Sequence, residues 1–183
     1  MSFISKLQSK YQYNSRLLTS VIVIIVVGFI FGFMASGDLK HITFQVDRIS
    51  SSRVKIFINA FTINYWYLFV SWIAGMVSFG LIVNYFIAFF KGFIWGVTFT
   101  LLIRSEAVFG FFSFFKLILL QILFLLPALI YVTYQGVKMS LVNLGIVTIK
   151  NRDSGNYFKV ILVSLILVVL YSFFNSLFTN IIR

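Results

Sequence analysis

The residue types that most often carry catalysis are scarce in this sequence. It has no cysteine and a single histidine, His41, which excludes thiol nucleophiles, thiolate metal sites and metal centres that need several imidazoles. Its four acidic residues leave little material for paired-carboxylate acid–base chemistry. Ser113 and Lys116 have the spacing of a serine–lysine pair on one helix face, but no third group orients them. We therefore predict that the protein is not an enzyme and has no catalytic residues, no cofactor and no metal site.

The composition indicates that lipid is the solvent for most of the chain. Of the 183 residues, 61% are hydrophobic and 10% are charged, whereas soluble domains are roughly 45–50% apolar and 25% charged. The net charge of +11 is explained by basic residues at membrane interfaces, where anionic lipid head groups attract them. The sequence contains no compact basic face and no nucleic-acid motif, so we expect the lipid bilayer, and no nucleic acid, as a partner.

The hydrophobic pattern predicts an all-α fold: a single integral membrane domain, residues 1–183, with about five transmembrane passes. In chain order, the predicted segments are a basic interfacial N-terminus at 1–16, a first pass at 17–36, a polar loop at 37–59, two passes within 60–103, a re-entrant segment and a fourth pass within 107–149, and a fifth pass at 157–182. The first apolar run is longer than the hydrophobic region of a signal peptide, so we interpret it as an uncleaved anchor.

Two breaks are needed to match the longer apolar stretches to a bilayer. As one helix, residues 60–103 would reach about 66 Å, twice the hydrocarbon thickness, so the chain must turn once within them. Gly80 and Asn84 mark the predicted turn. Pro127, the only proline, removes one backbone hydrogen bond and breaks the helix around it. We expect a broken or re-entrant segment before Pro127 and a membrane pass after it.

Two lysines, Lys91 and Lys116, lie inside these apolar stretches and are predicted to be intramembrane charges. A turn near Asn84 would place Lys91 about 10 Å inside its pass. Two interpretations of Lys91 follow. Its side chain either extends to the cytoplasmic interface, or it is a buried cation that pairs with a carboxylate, a carbonyl or a partner subunit.

Two pairs of glycines have the spacing of helix contacts. Gly28 and Gly32 lie on one helix face, and so do Gly92 and Gly96. Glycines four residues apart let another backbone approach closely, which is typical of contacts between transmembrane helices. Apolar helices also contain such pairs by chance. We predict that both pairs are helix-contact sites.

The distribution of Lys and Arg sets the expected orientation of the chain. The N-terminal tail and the loops on the same side carry slightly more of these residues than the opposite side. The positive-inside rule then places the N-terminus in the cytoplasm. We expect a multi-pass protein of the cell membrane.

The central part of the chain carries a set of short motifs. An asparagine precedes the second pass, glycines mark that pass, a Lys-Gly-x-x-x-Gly helix follows, and the fourth segment contains glutamine and proline. The motif positions are Asn59, Gly75, Gly80, Lys91, Gly92, Gly96, Gln121 and Pro127. Over Asn59–Leu144 the chain thereby resembles the stage II sporulation protein M family, whose members share these features.

The resemblance implies a non-enzymatic membrane scaffold or accessory subunit. The sporulation member of the family looks like the hub of a wall-remodelling complex in the bacterial cytoplasmic membrane. Other relatives accompany ABC transporters and circular bacteriocin clusters, which implies a subunit for peptide export or immunity. The expected partners are therefore other membrane proteins, either wall-remodelling enzymes or an ABC ATPase and permease, with a homo-oligomer as a further assembly. A small stand-alone transporter or channel is the alternative, although such proteins favour internal repeats or several intramembrane ionisable groups.

Overall fold

The computed structural model describes residues 3–38, 52–146 and 154–179. Side chains are described for residues 15–37, 52–101, 103, 118–146 and 157–177. Outside these ranges lie the side chains of residues 1–14 in the basic N-terminal segment, most of the predicted polar loop, which includes His41, and the side chain of Lys116.

The described residues are almost entirely helical, and they contain no strand. They form five α-helices: α1 (Phe3–Ala35), α2 (Arg53–Gly75), α3 (Gly80–Leu120), α4 (Leu126–Asn143) and α5 (Ser154–Thr179). A 3₁₀ turn, Ser36–Asp38, follows α1, and a π-helical turn, Gln121–Leu125, joins α3 to α4. The predicted all-α fold with about five hydrophobic passes is confirmed.

Five segments within these helices are long and apolar enough to cross a membrane. They are Ser15–Ala35, Arg53–Gly75, Gly80–Leu101, Ile118–Asn143 and Tyr157–Leu177. Each has between 21 and 26 residues, and about 20 helical residues are enough to span the hydrocarbon core. Large apolar side chains such as Phe31, Ile82 and Ile166 are exposed on their outer faces, as expected where lipid is the solvent. The second of these segments begins at Arg53, inside the predicted polar loop 37–59.

The turn between the second and third passes comes earlier than the sequence predicts. α2 ends at Gly75, residues 76–79 form the turn, and α3 begins at Gly80. Asn84 therefore lies within α3, and its amide nitrogen donates to the carbonyl oxygen of Gly80 at 2.9 Å. A residue type that favours turns in water is thus satisfied inside the helix. A Cβ atom on Gly80 would overlap the carbonyl oxygen of Ala74, so this position requires glycine.

Helical backbone continues from α3 through the π turn into α4. Pro127 lies at the start of α4. Just before it, the N–H of Leu126 donates to the carbonyl oxygen of Gln121, five residues back. This wider turn makes room for the proline ring, which in a regular α-helix clashes with the carbonyl four residues before it. The interruption predicted before Pro127 takes this form.

The chain reverses direction between the first part of α3 and α4. Gly136 of α4 packs against the side chain of Asn84, although a straight helix joining the two residues would hold them about 78 Å apart. The reversal falls between the spans Gly80–Leu101 and Ile118–Asn143. The residues that join these spans are helical, so this helical stretch is not straight.

α3 and α4 lie at the centre of the bundle, since each of them contacts the other four helices. α1 packs mainly on α3, whereas α2 packs on α5, α4 and α3. Helices from every part of the chain therefore contribute to the buried core, which includes Val21, Leu68, Ala88, Leu129, Val132 and Val168. In this arrangement α3 has one face against α1 and another against α2.

Candidate functional site

The face of α3 that meets α1 is built from glycine. The structure places Gly28 and Gly32 of α1 against Gly92 and Gly96 of α3. A Cβ atom on any of the four would overlap a backbone carbonyl oxygen of the opposite helix. The two backbones are therefore in direct contact, as small residues four positions apart allow. Both glycine pairs belong to one interface within the chain, which we call the glycine interface.

The face of α3 that meets α2 carries buried polar pairs. Oγ of Ser71 on α2 donates to Oδ1 of Asn84 on α3. Gly136 of α4 lies against the Asn84 side chain, and a Cβ atom there would come within 2.8 Å of the amide. Neither Ser71 nor Asn84 has exposed surface. We call this pair the neutral rung.

A second buried pair lies seven residues along α2 and α3 from the first, toward the middle of the spans, and it includes a cation. Nζ of Lys91 on α3 donates to Oδ1 of Asn64 on α2 at 2.9 Å. The same nitrogen lies 4.4 Å from the centre of the Tyr67 ring. Lys91 is 7% exposed and Asn64 is 8% exposed, so both are enclosed by protein. We call this pair the charged rung.

The two rungs share one arrangement. In each, an asparagine accepts from the opposite helix through its carbonyl oxygen, and its amide nitrogen donates to a backbone carbonyl four residues back. Asn64 and Ser71 are seven residues apart on α2, and so are Asn84 and Lys91 on α3. Seven residues is the repeat at which helices packed side by side present the same face. The rungs therefore fix the register of α2 against α3.

The charged rung lies at the middle of the spans. Lys91 is about 16 Å along the helix from either end of the span Gly80–Leu101. Asn64 is at the midpoint of α2, Arg53–Gly75. The ammonium group stays between α2 and α3 and does not extend to the membrane interface. Of the two interpretations of Lys91, the structure shows the buried cation.

The family model described as stage II sporulation protein M matches residues 21–180. This chain belongs to the stage II sporulation protein M family. The match extends the resemblance seen over Asn59–Leu144 to all five spans, and the predicted family is confirmed. Together with those spans, it identifies the chain as a multi-pass membrane protein. No curated protein and no solved structure matches the chain.

In this sporulation protein M family member, the last backbone carbonyl groups of α2 accept hydrogen bonds from other groups of the protein. The carbonyl oxygen of Trp72 accepts from the hydroxyl of Tyr157 at 2.6 Å, and the next two carbonyls accept from N–H groups of the turn. The carbonyl oxygen of Gly75 accepts from the Asn143 amide at 3.4 Å. The Trp72 indole donates back to the backbone of Tyr157 at 3.1 Å, and the two rings stack. Because helix ends need external partners where water is absent, these contacts tie α2 to α4 and α5.

The remaining motif positions of the family lie apart from the rungs. Asn59 is exposed on α2, and Pro127 is exposed on α4. Gly75 packs closely against α4. Gln121, in the π turn, lies with its amide nitrogen 3.5 Å from the hydroxyl of Tyr171. The motif positions therefore do not converge on one site.

A cavity of about 210 Å³ opens beside the π turn, between α1, α3 and α4. Gln121 is its one polar lining residue, and the other lining residues are Ile25, Val26, Phe29, Trp95, Ile118, Ile122 and Leu126. Neither rung lines this cavity. The buried polar pairs are thus separate from this cavity, and they join helices.

The sequence reading missed the α2 half of both rungs. Asn64 and Ser71 each lie between apolar neighbours in α2, so neither forms a recognisable motif by itself. Their spacing of seven, repeated by Asn84 and Lys91, is the signal that identifies them. Polar residues inside a span need partners in the bundle, so a shared spacing on consecutive helices predicts that they pair.

Proposed function

We propose that this family member is a non-enzymatic membrane scaffold, an accessory subunit that works through partner proteins in an envelope complex. The observation that carries the proposal is the separation of polar groups from open space. In the described part of the chain, both rungs join helices, whereas the cavity beside Gln121 is apolar. A binding or catalytic pocket combines a cavity with convergent polar groups.

Two kinds of complex accord with the family and the resemblance. A wall-remodelling complex would supply peptidoglycan hydrolases as partners, in line with the sporulation role named by the family description. A peptide export or immunity system would supply an ABC ATPase and permease. Both use the chain as a membrane-embedded contact surface, and the large exposed apolar side chains of the outer helix faces are available for that purpose.

Affinity purification of the tagged chain from its native membrane tests the proposal. We expect a stable partner to be recovered in near-equal amounts. A hydrolase among the partners supports wall remodelling, and an ATPase supports export. Recovery of the chain alone from gently solubilised membranes would contradict the scaffold proposal.

A stand-alone transporter or channel is the second candidate, and the cation buried at mid-span is the observation that favours it, because intramembrane charges often mark ion pathways. Reconstitution of the purified chain into liposomes distinguishes this candidate from a scaffold. Ion or peptide flux from the chain alone, abolished by Lys91→Met, would support transport. We expect no flux above that of protein-free liposomes.

We further propose that the chain resides in the bacterial cytoplasmic membrane with its N-terminus in the cytoplasm. The basic residues of the N-terminal tail and of the loop after α4 support this orientation under the positive-inside rule. Because the chain has no native cysteine, single cysteines at Ser51 and Ser154 report topology cleanly. In intact cells we expect an impermeant thiol reagent to label Ser51→Cys and spare Ser154→Cys. The reverse pattern would invert the orientation.

A further inference from the structure

The charged rung lacks a counter-charge in the described part of the chain. The described side chains include no aspartate or glutamate. Glu106 follows Lys91 by fifteen residues, about 22 Å of helix. The chain's other acids are Asp38, Asp47 and Asp153, and all three lie outside the five spans. None of the five described spans therefore carries an acid that could neutralise Lys91.

Both contacts of the ammonium group are with neutral groups, and neither is an anion. An ammonium group has three N–H donors. Among the described residues, the Asn64 carbonyl oxygen accepts from Nζ of Lys91, and the ring of Tyr67 faces the charge. A neutral oxygen and an aromatic face reduce the cost of burying the cation but leave its charge in place. The neutral rung has the same asparagine arrangement but contains no uncompensated charge.

We propose that the charged rung recognises a single carboxylate carried by the transmembrane helix of a partner protein. The depth of Lys91 selects this ligand. Lipid phosphates and soluble anions remain at the interface, about 15 Å from the bilayer centre. An aspartate or glutamate side chain on another membrane span is held at the depth of Lys91 itself. The inference rests on the proposed function, because it requires a partner subunit.

The surface near Tyr67 provides the approach. The ring that covers the ammonium is itself partly exposed on α2, so one aromatic side chain separates the charge from the outer surface of the bundle. Ile63 precedes Tyr67 by one helical turn on the same face and is 49% exposed. A partner helix seated over Ile63 and Tyr67 would bring its carboxylate within reach of Nζ once the Tyr67 side chain moves aside.

Co-purification with substituted chains tests the proposal. Lys91→Met keeps a long flexible side chain and removes the charge. We expect recovery of the partner to fall at least tenfold, with membrane insertion retained and a loss of stability no larger than that of Ser71→Ala. Ser71→Ala breaks the neutral rung and serves as the matched control, so partner recovery per folded chain should stay within twofold of that of the parent chain. Undiminished recovery with Lys91→Met would overturn the inference.

A cross-linking experiment leaves Lys91 intact and does not depend on the folding of that variant. In the cysteine-free chain, Ile63→Cys should cross-link to the partner in native membranes with a short thiol-to-amine or photoactivated reagent. Val26→Cys, which is 50% exposed on α1 next to the Gly92 contact, is the control at similar depth. We expect the partner peptide captured at position 63 to contain an intramembrane Asp or Glu, and its amide replacement should reduce recovery as Lys91→Met does. A captured helix without an acid, or capture at position 26 alone, would overturn the inference.

The failure of this inference differs from the failure of the proposed function. If the parent chain recovers no partner at all, the scaffold proposal fails and the inference fails with it. If the parent chain and Lys91→Met recover the same partner equally, the scaffold proposal stands and only the recognition role of the charged rung is rejected.

Discussion

The two faces of α3 hold their neighbours by opposite means. Toward α1, the glycine interface brings two backbones into contact and uses no side-chain hydrogen bond at its glycines. Toward α2, two polar rungs join the helices through asparagine amides. The α1 face also has one side-chain hydrogen bond, between Ser20 and Tyr85 at 2.8 Å, but at its glycines it depends on shape, whereas the α2 face depends on satisfied hydrogen bonds. In lipid, where apolar burial does not drive helices together, both are effective ways to choose one register.

The difference predicts how each interface fails. A backbone contact tolerates no added atom, so any side chain at its glycines forces the helices apart. A polar rung tolerates changes of shape but not the loss of one partner, because the remaining group is left unpaired in a low-dielectric interior. The two halves of the charged rung differ in what their loss leaves behind. Loss of Asn64 leaves a buried charge unpaired, whereas loss of Lys91 leaves only a neutral amide oxygen unpaired.

The largest effect is expected at the glycine interface. In Gly92→Ala, the new Cβ atom would overlap the carbonyl oxygen of Ile25, and backbone atoms have little freedom to move. We expect a loss of folding free energy of more than about 3 kcal/mol, measured by denaturant titration of the purified chain in detergent micelles.

Gly37→Ala provides the matched control, because nothing lies within 4 Å of a Cβ atom there. Its stability should remain within about 0.5 kcal/mol of that of the parent chain. Equal stability of the two alanine variants would show that α1 and α3 do not meet through their glycines, and the comparison of the two faces would break.

The charged rung should respond unequally to the loss of its two halves. Asn64→Leu leaves the buried ammonium without its hydrogen-bond acceptor, and we expect a loss of about 3 kcal/mol. Lys91→Met removes the buried charge and leaves only an amide oxygen unpaired, so a loss of about 1 kcal/mol is expected. The same denaturant titration measures both variants. A larger loss for Lys91→Met would mean that the cation has a stabilising partner beyond Asn64.

The neutral rung is expected to respond less than the charged rung does to the loss of Asn64. Ser71→Ala removes the donor to Oδ1 of Asn84 and leaves that oxygen buried, which costs about 1.5 kcal/mol. A double variant with Asn84→Leu separates the shared bond from the other contacts of the asparagine. If the two substitutions prove additive, the rung does not act as a pair, and the register of α2 against α3 is set elsewhere.

The sequence predicts the spans and the glycine contacts but misplaces the polar groups, and the reason is physical. Hydropathy locates spans because lipid tolerates few charges, and glycines four apart are readable without knowledge of their partner. Gly80 and Asn84 predict a turn because both residue types favour turns in water. In the bundle Asn84 bonds to its own helix and to Ser71. That displacement of the turn also made Lys91 appear shallower than it is. Which groups pair across helices depends on register, which periodicity alone does not contain.

The last expected effect, as small as that of Lys91→Met, has the opposite sign and concerns α4, the helix that packs against both α2 and α3. Thr133 is fully buried three residues before Gly136, and among the described residues its hydroxyl is the one buried side-chain oxygen or nitrogen without a hydrogen-bond partner. Thr133→Val keeps the branched shape and removes the unpaired hydroxyl, so we expect a gain of about 1 kcal/mol in the same titration. A loss of stability would show instead that this hydroxyl bonds to a group of α2 or α3. The face of α3 turned toward α2 would then hold a third polar contact, supplied by α4, and its contrast with the glycine interface would be greater still.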